Sequence, residues 1–352
     1  MATIKFNNVG ICAISACVPK TIVDNRTLVN ILPEEEVLKT IENIGIKEKR
    51  FADSDVCSSD LCFKAAEQLL ADNSIMRNSV DALIFLSQTP DYRQPATAPS
   101  LQYRLGLDKT TLSFDVNLAC SGYVYGLSTA MAYASLQGIN KVLLLVGETM
   151  SKTISSKDKV TFPLFGDAGS ATLIQKSDVF KTSFFSLNSD GSEAGILNMP
   201  YGGYRNPSSI EGLSEKTDAE GNTRTGEHLC MDGMEVFNFG LREVPKDIKK
   251  ILEYANMSID AVDMILFHQA NKFMTDFFAK KLKIVIDNIP YSLDKYGNTS
   301  CASIPLTIAS ELTDDKFSKR ANVILSGFGA GLSWGTALLS LENCNVSKVV
   351  EY

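Results

Sequence analysis

The sequence predicts an α/β fold made of two pseudo-symmetric halves, and three observations predict it. Short apolar runs rich in β-branched residues, such as VDALIFLSQ (Val80–Gln88), carry the pattern of strands buried on both faces. Stretches such as SSDLCFKAAEQLLAD between them read as helices, and strands alternating with helices imply a largely parallel sheet covered by helices. The chain also repeats itself. VDALIFLSQ matches VDMILFHQ (Val262–Gln269), KVLLLVGE (Lys141–Glu148) matches ANVILSGFG (Ala321–Gly329), and FGDAGSATLI (Phe165–Ile174) matches FGAGLSWGTALL (Phe328–Leu339). The small-residue turn and helix around Cys120 match YGNTSCASIPLTIASEL (Tyr296–Leu312). Four matches in nearly one order mean two copies of one unit. The expected halves are 1–180 and 181–352, joined near 176–185 about a pseudo-dyad.

Composition limits what such a chain can be. Its 352 residues are 45% hydrophobic and 21% charged, with a formal net charge of −7 and no dense basic block suited to a nucleic-acid groove. The longest apolar runs, such as Val142–Val146, are too short to span a bilayer. MATIKFNNVG lacks the basic-then-apolar pattern of a signal peptide, so a cytoplasmic location is expected. Eight cysteines form no C-x-x-C pair, and only His228 and His268 are available to help build a zinc site, so no metal centre is expected. Most of these cysteines read as reduced, buried small hydrophobes.

Taken along the chain, Asp115–Leu118 reads as the end of a strand and Ser121-Gly122-Tyr123 as the start of a helix, with Cys120 at the joint. A thiol at a helix N-terminus faces unpaired N–H groups and the positive end of the dipole, which favours the thiolate. Gly122 keeps the approach to the sulfur open. The polar, Gly-rich stretch 200–227 reads as an exposed excursion or lid. His268 directly follows a strand, in the position equivalent to Ser87 of the first half. Asn298 lies in a Gly-Asn-Thr-Ser turn before the second copy's helix.

Sites of α/β folds gather on loops at the C-terminal ends of strands, so the repeat places Cys120, His268 and Asn298 in one neighbourhood. A thiol, an imidazole and a carboxamide together can form and turn over an acyl-enzyme. Each also has a plain structural reading: a buried cysteine, a hydrogen-bonded histidine, an ordinary turn. Gly329-Ala330-Gly331 is either turn chemistry or a source of backbone N–H donors for an oxyanion. It fits a dinucleotide fingerprint poorly, since no βαβ unit and no ribose-binding acid follow it.

The strings ACSGYVYGL, FGDAGSATLI, MDGMEVFNF, FHQAN, YGNTSCASIP and GFGAGLSWG resemble those of the 3-oxoacyl-[acyl carrier protein] synthase III family of the thiolase superfamily. HQAN with YGNTS separates this branch from the elongating synthases, which use Cys-His-His, and from thiolases, which use a second cysteine. The resemblance implies a thiolase-like fold with αβαβα layers and a decarboxylative Claisen condensation. In it Cys120 takes the acyl group, while His268 and Asn298 hold the malonyl thioester and stabilise its enolate. Backbone N–H groups of Cys120, Gly329 and Ala330 form the oxyanion hole, and Phe328 borders the cysteine. Acyl-CoA or acyl carrier protein supplies the thioesters, no cofactor is called for, and a homodimer is implied.

The substrate side departs from the family pattern. EEEVLKTIENIGIKEKR lacks the usual Trp and Arg, and Lys39 and Asn43 stand near their positions. Phe273 replaces an Arg often used in carrier docking, and Lys157 and Lys159 read first as part of a solvated loop and second as substitute phosphate contacts. In TPDYRQPATAPSLQYRLG, which matches the loop that closes a partner's acyl pocket, Gln94 falls where an aromatic is common. These departures point to a specialised synthase rather than a housekeeping one. The competing readings are acyl transfer to a non-malonyl acceptor, a hydroxymethylglutaryl-CoA-synthase-like condensation with Glu148 as generic candidate base, and a non-catalytic partner subunit.

Overall fold

The computed structural model describes residues 2–313, 317 and 319–352. Twelve strands form two large sheets. Those of the first half are β1 (Ala2–Phe6), β2 (Val9–Val18), β3 (Ala82–Leu86), β4 (Leu112–Val116), β5 (Lys141–Thr149) and β6 (Asp167–Lys176). Those of the second are β7 (Ser183–Ser189), β8 (Met264–Phe267), β9 (Val323–Gly329), β10 (Ser333–Leu339), β11 (Asn345–Val346) and β12 (Val350–Glu351). The principal helices are α1 (Glu34–Ile44), α2 (Ser58–Asp72), α3 (Ala98–Arg104), α4 (Gly122–Ser135), α5 (Gly233–Tyr254), α6 (Lys272–Leu282) and α7 (Ser303–Glu311).

One sheet runs β11-β2-β6-β5-β3-β4, with β12 also on β2, and the other runs β1-β7-β10-β9-β8. The expected halves therefore exchange their ends: β1 joins the second sheet, and β11 and β12 join the first. The expectation of largely parallel sheets is corrected. β3 pairs parallel with β4 and β5, and β8 with β9, but β2–β6, β5–β6, β1–β7, β7–β10 and β9–β10 are antiparallel. The reason is local. β9 and β10 are joined by only three residues, a hairpin, whereas a parallel crossover needs about a dozen.

Side-chain alternation along the strands builds the layers. In β5, Val142, Leu144 and Val146 point to the centre, where they meet Tyr123, Leu127 and Met131 of α4. Leu143 and Leu145 point outward to Leu61, Ala65 and Leu69 of α2. In the second sheet Leu325 faces the centre, while Ile324 packs on Phe239 and Ile248 of α5 and Phe278 of α6. The centre also holds Ile304 and Ile308 of α7. The order is thus helix, sheet, helix pair, sheet, helix, the αβαβα arrangement. Among the described residues no helix is long and apolar enough to cross a membrane.

The excursion 200–227 is less a free lid than a packed flap. The Thr223 N–H donates to the Lys157 carbonyl at 3.2 Å, the Ser155 hydroxyl donates to the Thr223 carbonyl at 2.6 Å, and the Leu229 N–H donates to the Thr153 carbonyl at 2.8 Å. Its outer residues stay in water: Tyr204 is 87% and Ile210 91% exposed.

Because α4 is covered on both faces, truncating it leaves a void that neither sheet can fill. Leu127 is fully buried there. Leu127→Ala should cost about 3 kcal/mol, read as a lower urea midpoint at unchanged slope.

Candidate active site

The central helices aim their N-terminal turns at one place. α4 begins at Gly122, two residues after Cys120, and α7 begins at Ser303, just after the Asn298–Ala302 turn. A Cβ on Gly122 would stand 2.5 Å from Leu86 Cδ2 and 3.2 Å from Cys301 Cβ, so a glycine is needed where these elements meet. Gly329, at the end of β9, is closer still: its Cβ would stand 2.8 Å from Cys120 Cβ and 3.0 Å from Sγ. A side chain at 329 would therefore occupy the space beside the sulfur.

These turns line a cavity of about 420 Å³ with Cys120, His268, Asn298, Phe328 and Gly329 on its wall. Leu197, Met231, Phe237 and Met274 make the rest of it largely apolar, and Phe273 borders it while 58% exposed. Phe237 stacks on Phe273 at 5.3 Å.

Each polar member is held. The His268 N–H donates to the Ser326 carbonyl at 2.7 Å, and ring Nδ1 lies 2.8 Å from Ser303 Oγ. Phe328 packs edge-on against the ring at 5.4 Å. Asn298 is stitched to the loop after Leu164: its N–H donates to the Leu164 carbonyl at 2.8 Å, and its carbonyl accepts the Gly166 N–H at 3.0 Å. Asn298 Oδ1 accepts the Ser300 N–H at 2.9 Å, which leaves the amide nitrogen as this side chain's donor.

Burial dominates the electrostatics. It pushes the Cys120 thiol up to about 12; the Ser300 hydroxyl and the residue's own backbone N–H act the other way, and nearby Glu148 adds to the rise. The expectation that the helix N-terminus favours the thiolate is thus corrected, since desolvation of the charge outweighs the end of the dipole. Burial likewise holds His268 down to about 3, the Ser300 carbonyl opposing it weakly, so the imidazole is neutral at pH 7. At rest the thiol and the imidazole are both buried and uncharged.

Other expected contacts fall elsewhere. Lys157 pairs with Glu215 at 2.8 Å and Lys159 Nζ donates to the Glu220 carbonyl at 3.2 Å, so the flap has engaged both cations. Lys39 and Asn43 are exposed on α1 and do not line the cavity. Gln94 is exposed on the loop before α3, away from its own chain's cavity. Ala330 packs beside Leu164 and Leu197 with its carbonyl taken by Ser333 Oγ at 2.9 Å. Glu148 is no base facing the cavity. It is fully buried, and its carboxylate accepts from Gln88 N–H and Nε2, Thr89 Oγ1, Ser87 Oγ and Cys301 Sγ. Gln88 and Ser300 had no place among the sequence candidates. The repeat held the signal for Gln88, which follows Ser87 as Gln269 follows His268.

A layered αβαβα fold with a cysteine between its central helices and a histidine and asparagine on the same wall defines a thiolase-fold acyltransferase. Residues 114–191 match the family model for 3-oxoacyl-[acyl-carrier-protein (ACP)] synthase III, and 252–341 match that for its C-terminal part. The β-ketoacyl-[acyl-carrier-protein] synthase III of Rhodopirellula baltica is 32% identical over 353 residues, covering 95% of this chain and 99% of that one. Its counterpart in Desulfitobacterium hafniense is 33% identical, covering 94% and 97%. A crystal structure of a 3-oxoacyl-(acyl-carrier protein) synthase from Burkholderia xenovorans superposes with a TM-score of 0.93 at 38% identity, covering 100% of this chain and 99% of that one. The chain belongs to the 3-oxoacyl-[acyl carrier protein] synthase III family, and it is an acyltransferase of the Claisen-condensing type. Membership favours condensation over transfer to a non-malonyl acceptor and over a non-catalytic partner role.

The neutral histidine makes acid stability a test of the site. Between its ordinary 6.5 and about 3, the unfolded chain binds a proton at this ring that the folded one does not. Stability is therefore full above pH 6.5 and falls as pH drops through that window. The loss from this group at pH 5 is about 2 kcal/mol. His268→Gln should lack that part of the acid sensitivity when urea midpoints at pH 7 and pH 5 are compared.

Proposed function

We propose that this enzyme condenses an acyl group carried on Cys120 with a malonyl thioester to give a 3-oxoacyl thioester. The observation that carries this reading is the convergence of a thiol, a neutral imidazole and an amide donor on one apolar cavity. In the first half-reaction the sulfur attacks an acyl thioester and the donor's thiol leaves with the proton. In the second, the malonyl carboxylate departs as carbon dioxide and its electron pair becomes an enolate. An N–H of His268 and the Asn298 amide stabilise the enolate oxygen. The enolate carbon then attacks the acyl-Cys120 carbonyl, whose oxyanion is met by backbone N–H groups of Cys120 and the Gly329-Ala330 turn. Collapse breaks the C–S bond and returns the sulfur as a thiol once it takes a proton. Decarboxylation supplies the driving force, so these steps need neither metal nor redox group.

The apolar wall suits the pantetheine arm common to CoA and carrier protein. With Lys157 and Lys159 engaged by the flap, the carrier-bound thioester is the better fit of the two. A homodimer is supported by β4, which ends its sheet and offers an open backbone edge. The loop holding Gln94 abuts that edge, since the Thr97 and Ala98 N–H groups both donate to Asp115. Light scattering should therefore give twice 38.4 kDa.

Intact mass after incubation with a panel of acyl-CoAs and acyl-carrier proteins tests the chemistry. Wild type should gain one acyl group and Cys120→Ser none. His268→Ala and Asn298→Ala should still acylate while losing condensation by about a hundredfold or more. An acyl adduct that persists in Cys120→Ser would sink the assignment.

A further inference from the structure

A polar chain runs from the nucleophile into the core. Ser300 Oγ lies 3.5 Å from Cys120 Sγ, and Gln88 Nε2 donates to that same oxygen at 3.2 Å. The second hydrogen on Gln88 Nε2 goes to Glu148 Oε1 at 3.2 Å, and the Gln88 backbone N–H reaches the same carboxylate at 3.1 Å. Burial pushes the Glu148 carboxyl up from its ordinary range, opposed by the donors from Cys301, Gln88 and Thr89; ionised under that set of donors it accepts only, which turns the Gln88 amide nitrogen towards it. The amide nitrogen can only donate, so Ser300 Oγ accepts from it whatever the state of the sulfur. A thiol proton can be given to the second lone pair of that oxygen. Once the thiolate forms it has no proton, and the Ser300 hydroxyl must be the donor. Ser300 holds a left-handed backbone at φ 51°, uncommon for a residue other than glycine, and its own N–H fixes Asn298.

We propose that Ser300 is a catalytic residue, the hydrogen-bond donor that stabilises the Cys120 thiolate, and that Gln88, anchored by Glu148, is the positioning residue that keeps its hydroxyl turned to the sulfur. The proposal rests on Cys120 being the nucleophile. It gives the dry thiol a route to charge without a cation in contact: the site spreads the developing negative charge over an O–H whose oxygen is already polarised by an amide. The titratable groups around the sulfur are His268 from the loop after β8, held neutral by burial, Cys301 beside Ser300, and Glu148 from β5. Glu148 alone would oppose the thiolate by its charge. Its contribution through Gln88 has the opposite sign, which makes the two roles separable.

The test is the rate of Cys120 alkylation by iodoacetamide from pH 7 to pH 9, read by mass on the Cys120 peptide in the full-length protein. Ser300→Ala should slow alkylation about tenfold across that range, with thermal stability near that of wild type. Gln88→Met should slow it too, by less. Because the Gln88 substitution also strips donors from a buried carboxylate, Ser300→Ala remains decisive where Gln88→Met folds poorly. An unchanged rate in Ser300→Ala overturns the donor role. A slower rate in Ser300→Ala with an unchanged one in folded Gln88→Met overturns the relay. Alkylation needs no acyl donor, so a failed acylation of Cys120 would strike the nucleophile reading and leave this result standing.

Discussion

Everything at the site depends on two helices being buried back to back between two sheets. α4 and α7 have almost no polar face, and Tyr123, Leu127, Met131, Ile304 and Ile308 are wholly or almost wholly removed from water. Such helices have nowhere stable to lie except between two apolar sheet faces. Once they lie there, their first turns meet near the pseudo-dyad, and the residues just before them face one another. Cys120 and Ser300 are neighbours for that reason, although 180 residues separate them in sequence.

The same burial sets the chemistry. A core that excludes water raises the cost of every charge, so the thiol and the imidazole both rest uncharged. Stabilisation must then come from fixed dipoles, which are worth more in a dry site and need no reorganisation when charge develops. In the proposed mechanism they come from three directions: the end of β9 at Gly329, the Asn298–Ser300 turn, and the first turn of α4. Glu148 fits this scheme as an anchor behind the wall. Its carboxylate is paid for by hydrogen bonds from β3's following loop and from Cys301.

The flap shows how one excursion alters a surface without touching the core. Glu215 and the Glu220 carbonyl take up Lys157 and Lys159, two cations that the sequence leaves apparently free. Neither lysine lines the cavity, whose wall carries Phe237 stacked on Phe273.

By itself the sequence determined the duplicated α/β plan and that Cys120, His268 and Asn298 share one neighbourhood. Both follow from local signals: strand and helix periodicity, turn chemistry, and a repeat that equates Ser87 with His268. It placed Cys120 at a helix N-terminus but misjudged the thiol, because the sign of that balance depends on how much water surrounds the sulfur. Pairing direction was likewise out of reach, since β9 reads as a buried strand whether its neighbour is parallel or antiparallel. Only the tertiary structure decided that β1 and β12 exchange sheets, that the flap pairs with the lysines, and that Gln88 reaches Ser300. Those are contacts between residues far apart in the chain, 212 positions in the last case. Their geometry exists only after the layers have packed.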